Sequence, residues 1–291
     1  MWNKDGTKET SRQTAEERGG TAMHFMAVNG VTLHVSDSGP SDKPVLVFSN
    51  SLGTDFRIWD EVAERLQGHF RLVCYDKRGH GLSDLGTPPY VMDDHVGDLA
   101  ALLDALAIER AVICGLSVGG LIAQGLYASR PDLVRGLVLC DTAHKIGNDD
   151  LWNDRIAAVE AQGIAAIAEG ILERWFTLAL RSGDPVALAG WRNMLTRTPA
   201  AGYAGTSAAI RDTDFTAAAA AITVPTLCLV GEEDGATPPA LVQELAALIP
   251  GARCEVIAGA GHLPCIEQPG VVAELILDFT RGAGLAGGNA L

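Results

Sequence analysis

The feature that most limits the fold of this chain is the alternation of short apolar runs with longer segments of helical periodicity. The runs PVLVFSN, RLVCYD, AVICG, LVLCD, PTLCLVG and CEVIAG are bounded by turn residues and are nearly continuous in Val, Leu, Ile and Cys. Such runs are typical of buried strands in a parallel sheet. An earlier segment, MHFMAVNGVTLHVSDSG, predicts an opening antiparallel pair with a turn at Asn29-Gly30. The pattern as a whole predicts an α/β fold with a mostly parallel central sheet flanked by helices.

One long segment interrupts the alternation. Residues 143–221 are rich in Ala, Trp and Arg, have helical periodicity and contain no convincing strand. Their position predicts a helical cap over the carboxyl ends of the strands, where open α/β sheets bind ligands. The predicted core then comprises residues 23–142 and 222–281. A disordered tail is expected at 1–22 and a flexible C-terminal tail at 282–291.

Composition restricts the partners and the compartment. The 291 residues carry a formal net charge of −14, which argues against nucleic acid or an anionic membrane as a partner. Arginines inside a pocket could still bind a small anionic substrate, because solvent salt screens distant surface charges. No apolar stretch reaches membrane-spanning length, and no secretory signal is visible. Six cysteines without a CxxC pair favour a reducing cytoplasm.

The strongest chemical motif is G-x-S-x-G at residues 115–119. It lies directly between the apolar run AVIC and the helical segment LIAQGLYAS. This is the context of a nucleophile elbow, in which a serine occupies a strained strand-to-helix turn. Side chains two residues away on either side would clash in such a turn, which explains glycine at 115 and 119. The motif predicts Ser117 as a nucleophile.

A serine hydroxyl needs a base to accept its proton, and the base should lie on a late loop. Of the seven histidines, His262 is best placed, because it follows the strand-like run CEVIA in Gly259-Ala260-Gly261-His262. His144, near the entrance of the predicted cap, is a possible substrate contact. His262 is therefore the predicted general base.

The third member of such a triad is an acid that follows the serine and precedes the histidine in the chain. Asp234, in the turn after PTLCLV, obeys this order. Asp141, after the preceding strand, is the competing candidate, and Glu232 and Glu233 are weaker ones.

A tetrahedral intermediate also needs two N–H donors for its oxyanion. The backbone N–H of Val118 is the first expected donor. The second should come from the loop after PVLVF, with Leu52 as the choice and Ser51 as the alternative. No dinucleotide motif, P-loop or group with metal-ligand spacing is present in the sequence, so no cofactor or metal is predicted.

Several segments together resemble the α/β-hydrolase superfamily, over nearly the whole chain from Met23 to Phe279. Within it, the chain is similar to the 3-oxoadipate enol-lactonases of bacterial aromatic catabolism. The resemblance rests on SNSLGTDFRIWD (49–60), YDKRGHGLSD (75–84), CGLSVGG (114–120), RWFT (174–177) and GAGHLPCIEQP (259–269). The asparagine-serine-leucine loop together with DKRGHG distinguishes this family from other members of the superfamily. Val118 departs from the methionine that is frequent there in that family, and the N-terminal segment is an addition.

The resemblance implies hydrolysis of the enol-lactone ring to 3-oxoadipate, in the β-ketoadipate pathway, through a Ser-His-Asp acyl-enzyme mechanism. The carboxylate of this small anionic substrate needs a cationic anchor. The candidates are Arg57, Arg155 and Arg174, and Trp152 and Trp175 are expected to shape the cap side of the pocket.

Other functions fit the same motifs. A general carboxylesterase, a perhydrolase or a hydrolase of carbon–carbon bonds would share the triad and differ in the acyl pocket. A ligand-sensing protein of the same fold with very slow turnover is an alternative from a different class. The sequence leaves the oligomeric state open.

Overall fold

A computed structural model describes residues 22–286 and contains one eight-stranded sheet. The strands are β1 (Ala22–Val28), β2 (Val31–Ser38), β3 (Val45–Ser49), β4 (Arg71–Tyr75), β5 (Ala111–Leu116), β6 (Val134–Cys140), β7 (Thr226–Gly231) and β8 (Arg253–Ile257). Their order is β1-β2-β4-β3-β5-β6-β7-β8. β1 and β2 pair antiparallel, β2 is antiparallel to β4, and the remaining pairs are parallel. The predicted α/β fold with a mostly parallel sheet is confirmed.

The opening hairpin turns where the sequence predicted it. Asn29 and Gly30 connect β1 to β2 with φ of 46° and 77°. Two successive residues at positive φ are the requirement of the tight hairpin turn that matches the twist of the strands, and Asn-Gly meets it at low cost.

Burial differs along the sheet. β5 and β7 are buried at every residue, as their continuous apolar sequences predict. β8 was also expected to be a buried strand, but it lies at the edge of the sheet, where only Ile257 is buried and Val256 is exposed. The prediction of a buried strand was wrong because an edge strand has a neighbouring strand on one side only, which leaves its other side open to solvent.

Helices cover the sheet and follow its strands. Before β6 lie α1 (Asp60–Leu66), α2 (Met92–Ala105) and α3 (Val118–Ser129), and after β7 lie α10 (Pro239–Leu248), α11 (Pro264–Glu267) and α12 (Pro269–Gly282). No helix among residues 22–286 combines the length and apolarity needed to cross a bilayer.

The segment between β6 and β7 is helical. It contains α4 (Asp149–Gln162), α5 (Ala168–Trp175), α6 (Leu178–Gly183), α7 (Pro185–Thr196), α8 (Ala200–Arg211) and α9 (Thr216–Ala220), which we call the cap. α8 lies against the loop after β4, where a Cβ on Gly202 would overlap the backbone of Gly79. The predicted limits of core and cap stay predictions, and most of the two predicted tails falls outside the described residues.

Candidate active site

Ser117 occupies the turn between β5 and α3 in a strained conformation. Its φ of 57° and ψ of −116° are unusual for a residue with a side chain. Neighbouring groups hold the turn: the Ser117 N–H donates to the Cys140 carbonyl at 2.9 Å, and the Thr142 hydroxyl donates to the Ser117 carbonyl at 2.7 Å. The strand-turn-helix context that the sequence predicted is therefore present.

The glycines around Ser117 are required by close backbone approach. A Cβ on Gly115 would overlap the carbonyl of Gly119, and one on Gly119 would overlap the carbonyl of Ser49 at the end of β3. The elbow thus presses against the neighbouring strand, and side chains at these positions would displace it.

His262 and Asp234 meet beside this turn. Asp234 lies in the loop after β7, and His262 lies in the loop between β8 and α11. The Nδ1 atom of His262 is 3.0 Å from both carboxylate oxygens of Asp234, and both side chains are buried. When Nδ1 donates its hydrogen to the carboxylate, Nε2 keeps its lone pair and can accept a proton.

Asp234 also accepts hydrogen bonds from its own loop. The N–H groups of Ala236 and Thr237 donate to Oδ1 at 2.7 and 3.0 Å, and the Thr237 hydroxyl donates to Oδ2 at 2.7 Å. Burial works to raise the pKa of Asp234, but His262 and these donors outweigh it and lower that pKa to about 2. Asp234 is therefore ionised across the physiological range.

Asp141, the competing acid, has a different environment. Its Oδ1 accepts from the Gly231 N–H at 2.9 Å, and its Oδ2 is buried with no hydrogen-bond partner among the described residues. Burial, the charge of Asp234 and Cys140 raise the pKa of Asp141 well above its ordinary value. The histidine hydrogen bonds go to Asp234 rather than to this carboxyl.

Asp141, Asp234 and His262 bring donor atoms within 4.8 Å of one another, which also meets the spacing of a metal site. The other contacts argue against this use. The lone pairs of Asp234 accept the hydrogen bonds described above, and Asp141 favours its protonated form, whereas a metal needs deprotonated ligands.

The two expected oxyanion donors lie in loops next to Ser117. Val118 is the first residue of α3, so its N–H has no acceptor within the helix. Leu52 follows β3 in a tight turn, and both Ser51 and Leu52 line the cavity described next.

A cavity of about 140 Å³ lies between core and cap. Its core side consists of Ser51, Leu52, Ser117, Gly235, Ala236, Thr237 and His262, and its cap side of Ile146, Gly147, Leu151, Trp152, Arg155, Ile171, Arg174, Trp175 and Tyr203. The volume corresponds to one small ring-sized ligand. Ser117 and His262 thus lie in a cavity with room for a small substrate.

Two arginines of the cap, Arg155 and Arg174, line this cavity. The Arg155 guanidinium lies 4.8 Å over the ring of Trp152. Within residues 22–286, neither Arg155 nor Arg174 forms an ion pair with a carboxylate. Arg155 is half-buried and Arg174 is exposed, and arginines without acidic partners at a cavity are candidates for binding an anion.

Tyr203 is a cavity residue that the sequence did not reveal. Burial raises the pKa of its hydroxyl, while a charge and hydrogen-bond contribution from Arg155 and the charge of Arg174 act in the opposite direction. All three residues line the same cavity. Tyr203 lies in the Ala- and Gly-rich helix α8, whose sequence carries no signal for a ligand contact.

The structure separates Arg57 from the other predicted anchors. Its Nε donates to Asp55 at 2.9 Å, the side chain is 63% exposed, and the residue does not line the cavity. The reason is local, since the carboxylate two residues earlier holds the guanidinium at the surface. Trp152 and Trp175 do line the cavity, whereas His144 does not.

Comparisons with known proteins agree with this geometry. Residues 44–269 match the family model of the alpha/beta hydrolase fold. This chain belongs to the α/β-hydrolase family. Among curated relatives of this hydrolase, 3-oxoadipate enol-lactonase 2 of Acinetobacter baylyi is 34% identical, over 85% of this chain and 93% of that protein. The 3-oxoadipate enol-lactonase 1 of the same organism is 35% identical, over 87% and 94%.

A solved structure extends the similarity to three dimensions. The enol-lactonase from Burkholderia xenovorans superimposes on this hydrolase with a TM-score of 0.86, at 38% identity, and the match covers 89% of this chain and all of that one.

Proposed function

We propose that this α/β hydrolase opens the ring of 3-oxoadipate enol-lactone and releases 3-oxoadipate, in the β-ketoadipate pathway of aromatic catabolism. The observation that carries the proposal is one small cavity lined by Ser117, by His262, whose imidazole pairs with Asp234, and by two arginines that form no ion pair within residues 22–286. The similarity to enol-lactonases over most of the chain supports it. The enzyme is then a serine hydrolase acting on carboxylic ester bonds.

Acylation follows from the positions of three side chains. Ser117 Oγ attacks the lactone carbonyl while His262 Nε2 accepts the hydroxyl proton, and the ionised Asp234 stabilises the imidazolium. The N–H groups of Leu52 and Val118 donate to the oxyanion of the tetrahedral intermediate.

Collapse of this intermediate breaks the ring carbon–oxygen bond. The imidazolium of His262 returns its proton to the departing enol oxygen, and the enol ketonises while still attached to the acyl-enzyme. Because a ketone oxygen is a poor nucleophile, the ring does not close again. His262 then deprotonates a water molecule, which attacks the acyl carbonyl, and Ser117 leaves with the proton.

The cap provides selectivity for an anionic lactone. Arg155 and Arg174 are the proposed anchors of the substrate carboxylate, and Trp152 and Trp175 form apolar parts of the cavity wall. Arg57 is no longer a candidate, because its guanidinium pairs with Asp55 outside the cavity.

The proposed ligand is a small anionic lactone, with no nucleic acid and no membrane as partner, consistent with the net charge of −14. A reducing cytoplasm is the proposed compartment, since all six cysteines are free and five of them are buried.

The decisive test compares two substrates. Enol-lactone is generated in situ from muconolactone by its isomerase, and its steady-state hydrolysis is measured beside that of p-nitrophenyl acetate. We expect kcat/KM for the lactone to exceed that for the ester by about a hundredfold or more, because only the lactone carries an anion for the arginines. Equal or reversed values would contradict the substrate and favour a general esterase.

Ser117→Ala tests whether Ser117 is the nucleophile of the proposed mechanism. It should lower turnover by about a thousandfold or more with an unchanged circular dichroism spectrum, since only binding and oxyanion stabilisation remain. Near-normal activity of this variant would contradict the proposed nucleophile.

A further inference from the structure

Lys77 is a fully buried lysine on the loop after β4, 1% exposed, and its charge is unused by the mechanism above. Its ammonium group donates to the carbonyl oxygens of Ser51 at 2.5 Å and Asn50 at 3.3 Å. No carboxylate lies within ion-pair distance of Nζ among residues 22–286. A buried cation normally requires an anionic partner, so its use on two backbone carbonyls calls for an explanation.

Those carbonyls belong to the loop that follows β3, residues 50–54, which we call the oxyanion loop. The Ser51 carbonyl also accepts hydrogen bonds from the Thr54 hydroxyl at 2.9 Å and from the Thr54 N–H at 3.4 Å. Asn50 supports the same turn through its side-chain amide, which donates to the Thr54 carbonyl. Three donors therefore converge on one carbonyl oxygen.

The geometry of the peptide unit shows how hydrogen bonds to the Ser51 carbonyl affect the Leu52 N–H. The C=O of Ser51 and the N–H of Leu52 belong to the same peptide, which is trans, because the cis bond of the described chain is Pro88-Pro89. In a trans peptide the C=O and N–H bonds point in opposite directions. A carbonyl fixed on Lys77 thus fixes the direction of the Leu52 N–H, and a positive charge at the oxygen strengthens that N–H as a donor.

We propose that Lys77 is a positioning residue for the oxyanion hole, which orients and polarises the Ser51–Leu52 peptide so that the Leu52 N–H donates to the developing oxyanion. The inference rests on the proposed function only in requiring acyl transfer at Ser117, not in the identity of the substrate. It also favours Leu52 over Ser51 as the second donor, because three donors, including the shorter Lys77 contact at 2.5 Å, act on the Ser51 carbonyl, whose peptide carries the Leu52 N–H. The Asn50 carbonyl, whose peptide carries the Ser51 N–H, receives the longer Lys77 contact at 3.3 Å.

The charges around Lys77 are consistent with this use. Burial lowers the pKa of Lys77 to about 7, against the attraction of Asp76 and Asp55, and the nearby His80 and His95 have their own pKa values lowered by burial and by this lysine. Lys77 keeps N–H donors in both its charged and its neutral form, and within residues 22–286 its hydrogen bonds go to the carbonyls of Asn50 and Ser51, so its effect is exerted at those oxygens.

The test uses Lys77→Met, which keeps the length of the side chain and removes its donors. Hydrolysis of p-nitrophenyl acetate and of the lactone is measured together with inhibition by phenylboronic acid, whose tetrahedral serine adduct places an oxygen in the oxyanion hole. We expect kcat/KM to fall about 10- to 100-fold on both substrates, less than the loss of a direct donor. The affinity for the boronic acid should fall by a similar factor.

Thr54→Val provides a second, milder variant that acts on the same carbonyl. It should lower kcat/KM and boronic acid affinity together by about three- to tenfold. Thr213→Val is the matched control, because Thr213 is also buried and its hydroxyl donates to the Ala209 carbonyl, away from the site. That control should change both quantities less than twofold.

A folded Lys77→Met with normal kcat/KM and boronic acid affinity would overturn the inference. A loss of activity without a matching loss of boronic acid affinity would also overturn it, because it would indicate a merely structural role. If Lys77→Met does not fold, the Thr54→Val and Thr213→Val pair decides by the same criteria. Wild-type enzyme that hydrolyses the ester but not the lactone would contradict the substrate alone and leave this test intact.

Discussion

Asp141 and Asp234 show how position within one site gives two identical side chains opposite properties. Asp234 accepts hydrogen bonds on both oxygens from His262 and its own loop, which stabilise its charge. Asp141, which follows β6 with a φ of 45°, has a single backbone donor and an Oδ2 without a partner in the described chain. Two adjacent buried carboxyls do not both ionise easily, so the environment assigns the charge to Asp234.

The stability of the Asp141→Asn variant relative to the wild type should therefore increase as the pH rises. The raised pKa of Asp141 means that its protonated form contributes stability fully below the unfolded value of about 3.9. That stability is lost as pH rises toward the folded value. Asparagine does not titrate, so the Tm of the variant minus that of the wild type should increase between pH 4.5 and pH 8, as measured by calorimetry.

Asp132→Asn is the control for this series. The pKa of the exposed Asp132 is lowered by its hydrogen bond to Arg130, so any small effect of this variant should have the opposite sign. A Tm difference for Asp141→Asn that stays constant with pH would contradict a neutral Asp141.

At the scale of elements, the core and the cap have separate chemical tasks. Loops after core strands supply Ser117, Asp234 and His262, while α4, α5 and α8 supply Arg155, Arg174 and Tyr203. In the proposed function, the core strands hold the reacting groups and the cap helices select the substrate.

Arg155→Met and Arg174→Met should each impair the lactone more than the neutral ester. Loss of the charge-assisted bond to the substrate carboxylate should lower kcat/KM for the lactone by about 10- to 100-fold. The value for p-nitrophenyl acetate should change less than about threefold. The larger loss identifies the principal anchor.

Arg192→Met is the matched control in the cap, because Arg192 on α7 pairs with Glu169 and does not line the cavity. Equal losses on both substrates in the Arg155 and Arg174 variants would mean that these arginines support the cap rather than bind the anion.

The same scale shows what sequence could and could not predict. Buried strands and the elbow around Ser117 are predictable because a local pattern determines them. The exposed face of β8 is not, since it depends on that strand's place at the sheet edge. Arg57 and Arg155 look alike in sequence, but in the structure Arg57 pairs with Asp55 outside the cavity that Arg155 lines. Tyr203 lies in a helix whose small residues give no periodic signal.

The whole molecule combines a net charge of −14 with a cavity lined by Arg155 and Arg174, neither of which forms an ion pair within residues 22–286. Two like charges at one cavity repel each other, which reduces stability. A bound dianion would neutralise them, so the empty enzyme should be less stable than its complex.

Adipate, a dianion similar in length to the proposed product, should raise the Tm. At a ligand concentration a hundred times Kd the stabilisation is about 2.7 kcal/mol. One kcal/mol shifts the Tm of a domain of 150–250 residues by roughly 2–4 °C, so a rise of several degrees is expected in differential scanning fluorimetry. Adipamide, which has the same length without charge, should have little effect, and an equal shift by both compounds would contradict an anion site.

The backbone contact between Gly79 and Gly202 has an evolutionary consequence. Lys77, two residues before Gly79, supports the oxyanion loop, and Tyr203, next to Gly202, forms part of the cavity wall. A Cβ at either glycine would overlap the backbone of the other, so a side chain there would force the loop after β4 and α8 apart. Descendants of this enzyme that acquire larger substrates are therefore expected to change α4 and α5 and to keep α8, because the cavity can widen on that side without disturbing the groups that stabilise the transition state.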